Sequence, residues 1–435
     1  MEILSLGEKI KRKRKELGLT LKDLAGDRIT PGQISLVESG KSNPSMDLLE
    51  YLAESLNSTV EYLMESEESQ AEKICLYYEN IAESQILNDE VIQAEKHIET
   101  VLYYAEKYNL NFRKARNLYL RGKMHLEKNE LAVAQQYFLS ANVIFIRSNN
   151  YEDIAQTFKY LGIITLKLKA YHSSNSYFQQ SEDVYLQNDI GNDFLLGEIY
   201  YYRAITFYKL ENTSKSIDYS FLAQEKFGQI DSKKEYAKSL LLISEQYSNK
   251  GDLDNAIKYS KKTLEVFKEI NDQHYISKIE NNLGKLFFEF ENIEQSFIHY
   301  NKAREIRIKN CDDNLIETLV NICENFIKLK EIETAKEILR EIMDEVDKGN
   351  NNALINYYLL KYKIDILEGG VNEAENTLIM AHNYADNMGY LEEQAELSIK
   401  LGKHYIDWGF EDKAAKYLND GVIIFKKLGI LNKDF

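Results

Sequence analysis

Proline is nearly absent from this chain of 435 residues. Only Pro31 and Pro44 occur, and no proline follows them. A proline inside a helix costs about 3 kcal/mol, whereas β-proteins use proline at turns and sheet edges. The absence therefore argues against a β-rich body and predicts an all-α chain in which one helix follows another.

Cysteine and long apolar runs are also scarce. The three cysteines (Cys75, Cys311 and Cys323) are scattered, so no metal-binding or redox spacing arises. We interpret them as packed, reduced thiols and predict no metal and no cofactor. No secretory segment precedes the first helix, and no apolar run approaches the roughly 20 residues that span a bilayer. We therefore expect a cytoplasmic protein without a membrane partner.

Motifs for catalysis are missing as well. The chain contains no HExxH, no glycine-rich phosphate loop and no nucleophile elbow, which are the arrangements that hold zinc, phosphate or a reactive serine. Carboxylate pairs are common in so acidic a chain and identify no acid–base site. We therefore predict that the protein is not an enzyme.

Charge is unevenly distributed along the chain. The whole sequence has 54 Lys and Arg against 70 Asp and Glu, a formal net charge of -16. Residues 1–42 reverse this balance, with nine basic and six acidic residues. A basic segment attached to an acidic body indicates that only the N-terminal part binds nucleic acid.

Helix starts can be read from side-chain chemistry in residues 1 to about 66. A hydroxyl precedes an acid or amide by three residues at Ser5, Thr20, Thr30 and Ser58, which is the pattern that satisfies free N–H groups at a helix start. Pro31 suits a first helical turn, and Gly40 suits a left-handed helix end. Apolar residues recur at helical spacing throughout, so we predict five short helices around one small core, with further starts at Ser45 and Thr59.

The second and third of these helices are separated by the short segment 26–29. This is a helix-turn-helix arrangement, in which the third helix enters the major groove of DNA. An ordered series of residues resembles the Xre-type helix-turn-helix of phage-repressor-like regulators, namely Ile10, Arg14, Leu17-Gly18-Leu19-Thr20, Leu24-Ala25, Ile34-Ser35, Glu38-Ser39-Gly40-Lys41, Asn43-Pro44-Ser45 and Leu48-Leu49.

That resemblance implies roles for individual residues. Gln33 would read a base, with Thr30, Pro31, Gly32 and Leu36 near bases or thymine methyl groups. Thr20, Ser35, Lys41 and Asn43 would hold phosphates. Arg14 and Glu38 resemble the family's structural ion pair and are assigned no base contact. Most of the basic run 11–15 is interpreted as a solvated helix face, with one or two of its members near a phosphate.

Two features depart from the family pattern. Leu21 stands where many relatives have a glutamine that holds a phosphate. The turn between the second and third helices is also one residue shorter than the commonest form, which affects the tilt of the third helix.

A period of about 40 residues runs through the rest of the chain. A small residue recurs at nearly every period, and another follows twelve residues later, where two helix backbones would approach closely. The first anchors are Ala82, Gly122, Gly162, Ala204, Ser244, Gly284, Cys323 and Gly402, with Tyr362 as the exception, and the second anchors are Ala94, Ala134, Ser174, Ser216, Ala256, Ser296, Ala335, Ala374 and Ala414.

The spacing predicts a helical hairpin in each period, because a single hairpin cannot bury its own apolar face. The pattern resembles the tetratricopeptide repeat, although the period is about 40 residues instead of 34 and the characteristic tryptophan and terminal proline are missing. We predict a helix-turn-helix domain over residues 1–66 and a repeat domain over residues 70–435. The repeats are expected to form a right-handed α-solenoid of about nine helical hairpins with a concave face.

The combination of the two parts resembles the RRNPP group of peptide-pheromone receptors. In that group a short, re-imported signalling peptide lies along the concave repeat face and alters DNA binding by a dimer. The resemblance implies a quorum-sensing transcriptional regulator, with a two-fold symmetric double-stranded DNA operator, a short signalling peptide and a second copy of the chain as its partners.

Asparagine two residues before the first anchor is frequent in that group. Asn282, Asn321 and Asn80 match this place, and an amide can both donate to and accept from a peptide backbone. The alternative is that these asparagines only solvate their helices. Helical spacing directs further candidates towards the same groove, namely Asn281, Lys285, Glu324, Asn325, Tyr201 and Lys159.

Two questions remain open from the sequence. The chain could instead be a phage-like repressor whose repeats form a scaffold for a protein partner, with no peptide ligand. The C-terminal apolar residues Val422, Ile423, Ile424, Phe425, Leu428, Ile430 and Leu431 either contribute to a homodimer or cap their own solenoid.

Overall fold

The computed structural model describes residues 2–88, 90–347 and 353–428. Over this part of the chain it contains helices and no strands, which confirms the predicted all-α class. None of the described helices combines the length and the apolar character that a bilayer-crossing segment needs.

Five short helices form the N-terminal part and eighteen longer ones the remainder of the described chain. The short helices are α1 (Leu6–Glu16), α2 (Leu21–Ala25), α3 (Pro31–Glu38), α4 (Met46–Ser55) and α5 (Val60–Met64). The longer helices are α6 (Glu67–Leu87), α7 (Val91–Lys107), α8 (Asn111–Glu127), α9 (Leu131–Arg147), α10 (Tyr151–Lys167), α11 (Tyr171–Gln187), α12 (Asp193–Lys209), α13 (Thr213–Gln229), α14 (Lys233–Asn249), α15 (Leu253–Glu269), α16 (Gln273–Glu289), α17 (Ile293–Lys309), α18 (Leu315–Leu329), α19 (Ile332–Asp347), α20 (Ala353–Leu367), α21 (Val371–Met388), α22 (Leu391–Asp407) and α23 (Glu411–Lys427).

The predicted caps organise the short helices, with one correction. Ser5, Thr20 and Thr30 each form a reciprocal capping box with the side chain three residues later. At α5 the prediction of a box between Ser58 and Glu61 is wrong, because the cap is Thr59, whose hydroxyl accepts from the Tyr62 N–H. Whether the α5 cap is Ser58 or Thr59, Leu63 is directed into the interior. The small core therefore forms as predicted.

Gly7 allows α1 to pack closely on the end of α3. A Cβ at this position would lie 2.5 Å from the backbone oxygens of Val37 and Glu38, far inside normal contact distance. No local pattern predicts this glycine, because the side chain that it excludes would clash with the end of α3, which is distant along the chain.

The last short helix continues into α6 through a fixed connection. Lys9 is buried and its Nζ donates to the Tyr62 and Glu65 carbonyls at 2.9 and 2.6 Å. Gln70, on α6, donates to the Leu4 carbonyl at 2.9 Å and accepts from the Leu4 N–H at 3.0 Å. These bonds attach the first residues of the chain to the first repeat helix.

The helices from α6 to α23 pair consecutively into hairpins, as predicted. Within the described residues eight of these pairs pack directly along their length, and α12 and α13 are joined by Ser216 Oγ, which donates to the Ala204 carbonyl at 2.7 Å. Nearly every turn in this part contains a residue with positive φ, and these residues recur about every twenty positions, for example at Asn109, Asn129, Asn149, Gly251 and Gly409. Asparagine and glycine adopt this conformation at low cost. The twenty-residue recurrence of these residues is therefore a sequence signal for the ends of the hairpin helices.

Both sets of small anchors are buried at the crossing of the two helices of a hairpin. Each glycine anchor lies against a large side chain sixteen residues later, which leaves no room for a Cβ. A Cβ on Gly162 would lie 2.6 Å from the Phe178 ring, and one on Gly284 would lie 2.5 Å from the Tyr300 ring. Serine anchors add a bond between helices, as in Ser296 Oγ, which donates to the Gly284 carbonyl at 2.7 Å. At these crossings a large ring fills the space beside a glycine, and a serine adds a hydrogen bond between the two helices.

Contacts divide the chain into two compact units, one up to Tyr219 and the other from Ser220 onward. The first contains the five short helices and the hairpins that begin with α6, α8 and α10. The second contains the hairpins from α14 to α23. The division into residues 1–66 and 70–435 that we made from the sequence stays a prediction.

Two of the three cysteines fit the predicted packed thiols. Cys75 and Cys323 are buried, and burial raises the pKa of the Cys75 thiol to about 11 and that of Cys323 to about 12. The prediction is wrong for Cys311, which is exposed because it is the left-handed residue of a turn.

The C-terminal apolar residues are divided between interior and surface. Ile424 is buried, whereas Ile423 and Leu428 are exposed. Ile430 and Leu431 lie outside the described residues. Ile424 therefore packs within its own hairpin, as expected of a residue that caps the solenoid.

Candidate DNA-binding and peptide-binding sites

The start of α3 is presented on the surface of the short-helix region. Pro31 occupies the first turn and Thr30 caps the helix, while Ile34 and Val37 anchor the opposite face in the core. The nine residues expected to contact DNA are all exposed, namely Thr20, Thr30, Pro31, Gly32, Gln33, Ser35, Leu36, Lys41 and Asn43. All nine side chains are therefore accessible to a partner at the surface.

Gln33, the expected base-reading residue, is also part of a helix cap. Its Oε1 accepts from the Thr30 N–H at 2.9 Å and from the Thr30 hydroxyl at 3.3 Å. Only the Nε2 end of the amide is outside these bonds. In this conformation Gln33 can donate to a base, whereas the bidentate contact to adenine, which needs both ends of the amide, requires the cap to open.

Thr20, an expected phosphate contact, is occupied in a similar way. Its N–H and its hydroxyl both donate to Asp23 Oδ2, at 2.8 and 2.7 Å. These bonds, first that from the hydroxyl, hold the pKa of the Asp23 carboxyl below its usual range. A DNA phosphate at Thr20 would therefore meet a neighbouring negative charge.

Arg14 and Glu38 form the ion pair that the resemblance implied. The Arg14 Nε and a terminal nitrogen donate to the two Glu38 oxygens at 2.6 and 3.0 Å, and a further N–H donates to the Leu19 carbonyl at 2.9 Å. The Glu38 hydrogen bond raises the pKa of the Arg14 guanidinium. The pair joins α1 to the end of α3 and so fixes the orientation of the exposed helix.

Arg28 is a basic residue near α3 that sequence reasoning missed. It is exposed two residues before the Thr30 cap, and its guanidinium lies 5.5 Å from the centre of the Tyr51 ring. Tyr51 is in turn fixed by donating to the Leu24 carbonyl at 3.1 Å. A positive charge in a helix-turn-helix turn is a usable signal for a phosphate contact.

Two of the predicted peptide-binding amides lie on α16 and α18 of the second unit. Asn282, on α16, is half-buried. Asn321, on α18, is also half-buried, and its Nδ2 donates at 3.3 Å to Oδ1 of Asn281, the neighbour of Asn282. Among the described residues the Asn282 side chain has no hydrogen-bond partner, so its amide is available to a ligand.

Asn281 and Asn325 have structural roles instead of facing a groove. Asn281 is only 1% exposed and accepts from the Thr318 hydroxyl at 3.1 Å, while Asn325 is fully buried and donates to Ser296 Oγ at 2.9 Å. Helical spacing directed both towards the groove, but each is one position away from the exposed face. Their amides connect helices to each other.

The charged candidates near Asn282 differ in whether they already have an ion-pair partner. Glu324 accepts from Lys363 Nζ at 2.6 Å and is thus already paired. Lys285 is exposed one turn after Asn282, and Lys278, which the sequence analysis did not single out, is exposed one turn before it. Neither lysine has a carboxylate partner within the described part of the chain, so α16 presents a row of lysine, asparagine and lysine.

The remaining candidates lie in the first unit. Lys159 is buried and donates to Glu198 Oε2 at 2.7 Å, which connects α10 to α12 and leaves no free charge. Tyr201 is half-buried beside the Tyr202 ring, with the ring centres 5.5 Å apart. Asn80 is exposed on α6.

Comparison with known families identifies both parts of the chain. Residues 10–63 match the helix-turn-helix family, and residues 235–309, which cover α14 to α17, match a tetratricopeptide-repeat family. No match is found among curated protein sequences.

Several solved structures share the fold. The apo form of RapI is 17% identical, with a TM-score of 0.63 over 82% of this chain and 98% of RapI. The apo form of the quorum sensor NprR from B. thuringiensis is 14% identical, with a TM-score of 0.59 over 80% of this chain and 97% of NprR. Aspartyl phosphate phosphatase F from Bacillus subtilis is 14% identical, with a TM-score of 0.53 over 83% of this chain and 95% of that chain.

These similarities establish the fold and not the activity, because a quorum sensor and a phosphatase share it. The architecture that the RRNPP resemblance implied is confirmed by the two family matches together with the shared fold. The chain is thus built from an N-terminal Xre-type helix-turn-helix domain and a body of tetratricopeptide-like repeats.

Proposed function

We propose that the protein is a DNA-binding transcriptional regulator whose operator binding is switched by a short intracellular signalling peptide held by the repeats. The observation that carries this proposal is the joining, in one chain, of an exposed recognition helix to a repeat body with an accessible amide at Asn282. That NprR is a quorum sensor with this fold supports the same assignment.

The DNA-binding half follows from the size and position of α3. One eight-residue helix contacts only a few base pairs, so specific binding needs two copies on a two-fold symmetric operator whose half-sites lie about 34 Å apart. Arg28 and Lys41 would contact phosphates on either side of the bases read by the start of α3. The protein would act in the cytoplasm, where the operator is accessible.

Replacement of Gln33 by alanine should weaken binding at one base pair. We expect a loss of about 1–3 kcal/mol and a relaxed preference at that position, measured by mobility shift against an operator series in which each base pair is changed in turn. Lys41→Ala is the matched comparison, since loss of a phosphate contact weakens all sequences alike and reduces the salt dependence. Unchanged base preference in Gln33→Ala would remove Gln33 from the recognition surface.

The peptide-binding half follows from the row on α16. An amide accepts from a peptide N–H and donates to a peptide C=O, so Asn282 can hold an extended backbone of any sequence. Lys278 and Lys285 lie on the same helix face, four residues before and three after it. Their charges favour a peptide with a carboxylate, either an acidic side chain or the free C-terminus.

Switching requires that the peptide prefer one conformational state of the protein. A ligand with equal affinity for the operator-binding and non-binding states would shift neither. Because the Asn321–Asn281 bond connects neighbouring hairpins, a peptide that engages Asn321 competes with a contact between repeats. This competition would make peptide binding sensitive to the relative position of α16 and α18.

Peptide affinity should fall when both amides are removed. The probes are synthetic peptides of about five to ten residues taken from small open reading frames beside the gene, titrated by calorimetry. Asn282→Ala/Asn321→Ala should lose about 1–3 kcal/mol for each unpaired peptide group. Asn301→Ala, an exposed asparagine on α17, is the matched control and should bind normally.

Two results would contradict this assignment. Equal affinity in the double variant and the parent protein, with the helix content intact by circular dichroism, would place the peptide elsewhere on the repeats. Failure of every candidate peptide to bind the parent protein would favour the alternative, a repressor whose repeats serve as a scaffold for a protein partner.

A further inference from the structure

Helix α9 has an uncharged outer face, unlike its counterparts. It is the second helix of its hairpin, and Arg147 at its end is its only charged residue. Leu139, Val143 and Ile146 follow each other at intervals of four and three residues, so they share one helix face. Between 41% and 50% of each side chain is exposed.

The same register is acidic in most other hairpins. Val143 lies nine residues after the second anchor, Ala134. At that distance from their own anchors, five other hairpins carry an exposed carboxylate, namely Asp183, Glu225, Glu265, Glu305 and Asp344. Val143 is therefore an exposed apolar residue at a position where most of the other hairpins have an exposed carboxylate.

The low charge continues into the next hairpin. The residues of α11 that correspond to Gln136, Leu139 and Ile146 are exposed and uncharged, namely Ser176, Gln179 and Leu186. Leu186 is 55% exposed. At the register of Val143, however, α11 carries the exposed carboxylate of Asp183. We therefore keep the name uncharged face for the outer face of α9 alone. Contiguous apolar surface of this kind marks an association site more often than solitary exposed residues do.

We propose that the uncharged face is the surface through which two copies of this chain associate, with α9 of one copy packed against α9 of the other. The net charge of the chain selects the partner. Two copies that each carry -16 repel each other wherever their carboxylates meet, and a two-fold interface places the same surface on itself. A surface without charge avoids this repulsion, and its apolar side chains gain by leaving water.

Other partners fit this face less well. A basic protein would be attracted to the hairpins whose outer register carries carboxylates, because opposite charges steer association. The uncharged face also belongs to the same compact unit as α3, so pairing through it would hold two recognition helices in one assembly. The inference does not depend on the peptide proposal, and it goes beyond the proposed function by naming the dimer surface.

The test is sedimentation velocity of the full chain across 1 to 100 μM, a range chosen around the affinity of transient dimers. The parent protein should sediment as a dimer at the upper end. Val143→Glu and Ile146→Glu should each weaken association at least tenfold, since each change places a carboxylate from both copies inside an apolar interface. Val143→Glu should fold normally, because five hairpins already carry an acid at this register.

Ile308→Glu is the matched control. Ile308 occupies on α17 the register that Ile146 occupies on α9, and the two are exposed to 52% and 50%. This variant should dimerise like the parent protein. A parent protein that stays monomeric at 100 μM would overturn the proposal. So would a Val143→Glu dimer of unchanged affinity, which would place the interface elsewhere, or equal weakening by Ile308→Glu, which would make the effect one of net charge alone.

Discussion

Replacement of Glu38 by alanine is expected to unfold the N-terminal domain and abolish operator binding, although Glu38 is assigned no contact with DNA. The change leaves the Arg14 guanidinium, whose side chain is 13% exposed, without the carboxylate that neutralises it. Breaking one side of a buried ion pair costs about 3–5 kcal/mol. Domains below about 70 residues rarely have more than this in reserve, so the loss is comparable to the whole stability of the domain.

The measurement combines operator binding with limited proteolysis, which detects an unfolded N-terminal segment on an otherwise folded chain. Glu16→Ala is the control, because Glu16 pairs with Arg12 at 2.9 Å on the exposed side of α1 and surface pairs contribute little. Arg14→Met/Glu38→Leu should restore protease resistance, since apolar residues of similar volume can replace a buried pair. Retained operator binding by Glu38→Ala would show that the pair does not orient α3.

Phe178→Ala is expected to destabilise the third hairpin by about 3–5 kcal/mol, the usual cost of removing a fully buried aromatic ring. The Phe178 ring fills the space that Gly162 leaves at the crossing of α10 and α11, and it stacks on Tyr202 of the next hairpin with ring centres 5.7 Å apart. Each repeat is stabilised by its neighbours. The cavity therefore weakens one crossing and one junction between hairpins at once.

Urea denaturation followed by circular dichroism should show an earlier transition for Phe178→Ala. Hydrogen exchange should assign that transition to α10 and α11. Phe290→Ala is the control, because Phe290 is 51% exposed at the end of α16 and its removal should leave the transition unchanged. If both variants shift the transition equally, the ring at Gly162 has no special role in the crossing.

Sequence alone determined the features that depend on local chemistry or on repetition. The helix caps at Ser5, Thr20 and Thr30 could be read because their partners lie three residues away. The hairpins could be predicted because each helix crossing requires small residues, and these small residues recur in the sequence with every period. The helix-turn-helix and the Arg14–Glu38 pair were predicted from the resemblance to a family. A family resemblance predicts such a tertiary contact because the order of the residues is shared with proteins that have the same fold.

Only the tertiary structure decided which side chains are available. Adjacent residues on a helix differ by about 100° in direction, and this separates buried Asn281 from half-buried Asn282 and removes Asn325 from the predicted groove. The partners of Lys159, Glu324 and Gly7 come from other helices, so no local pattern records them. The exposure of Leu139, Val143 and Ile146 on α9 is likewise not written in their helical spacing, because burial is a property of the whole stack and not of one helix.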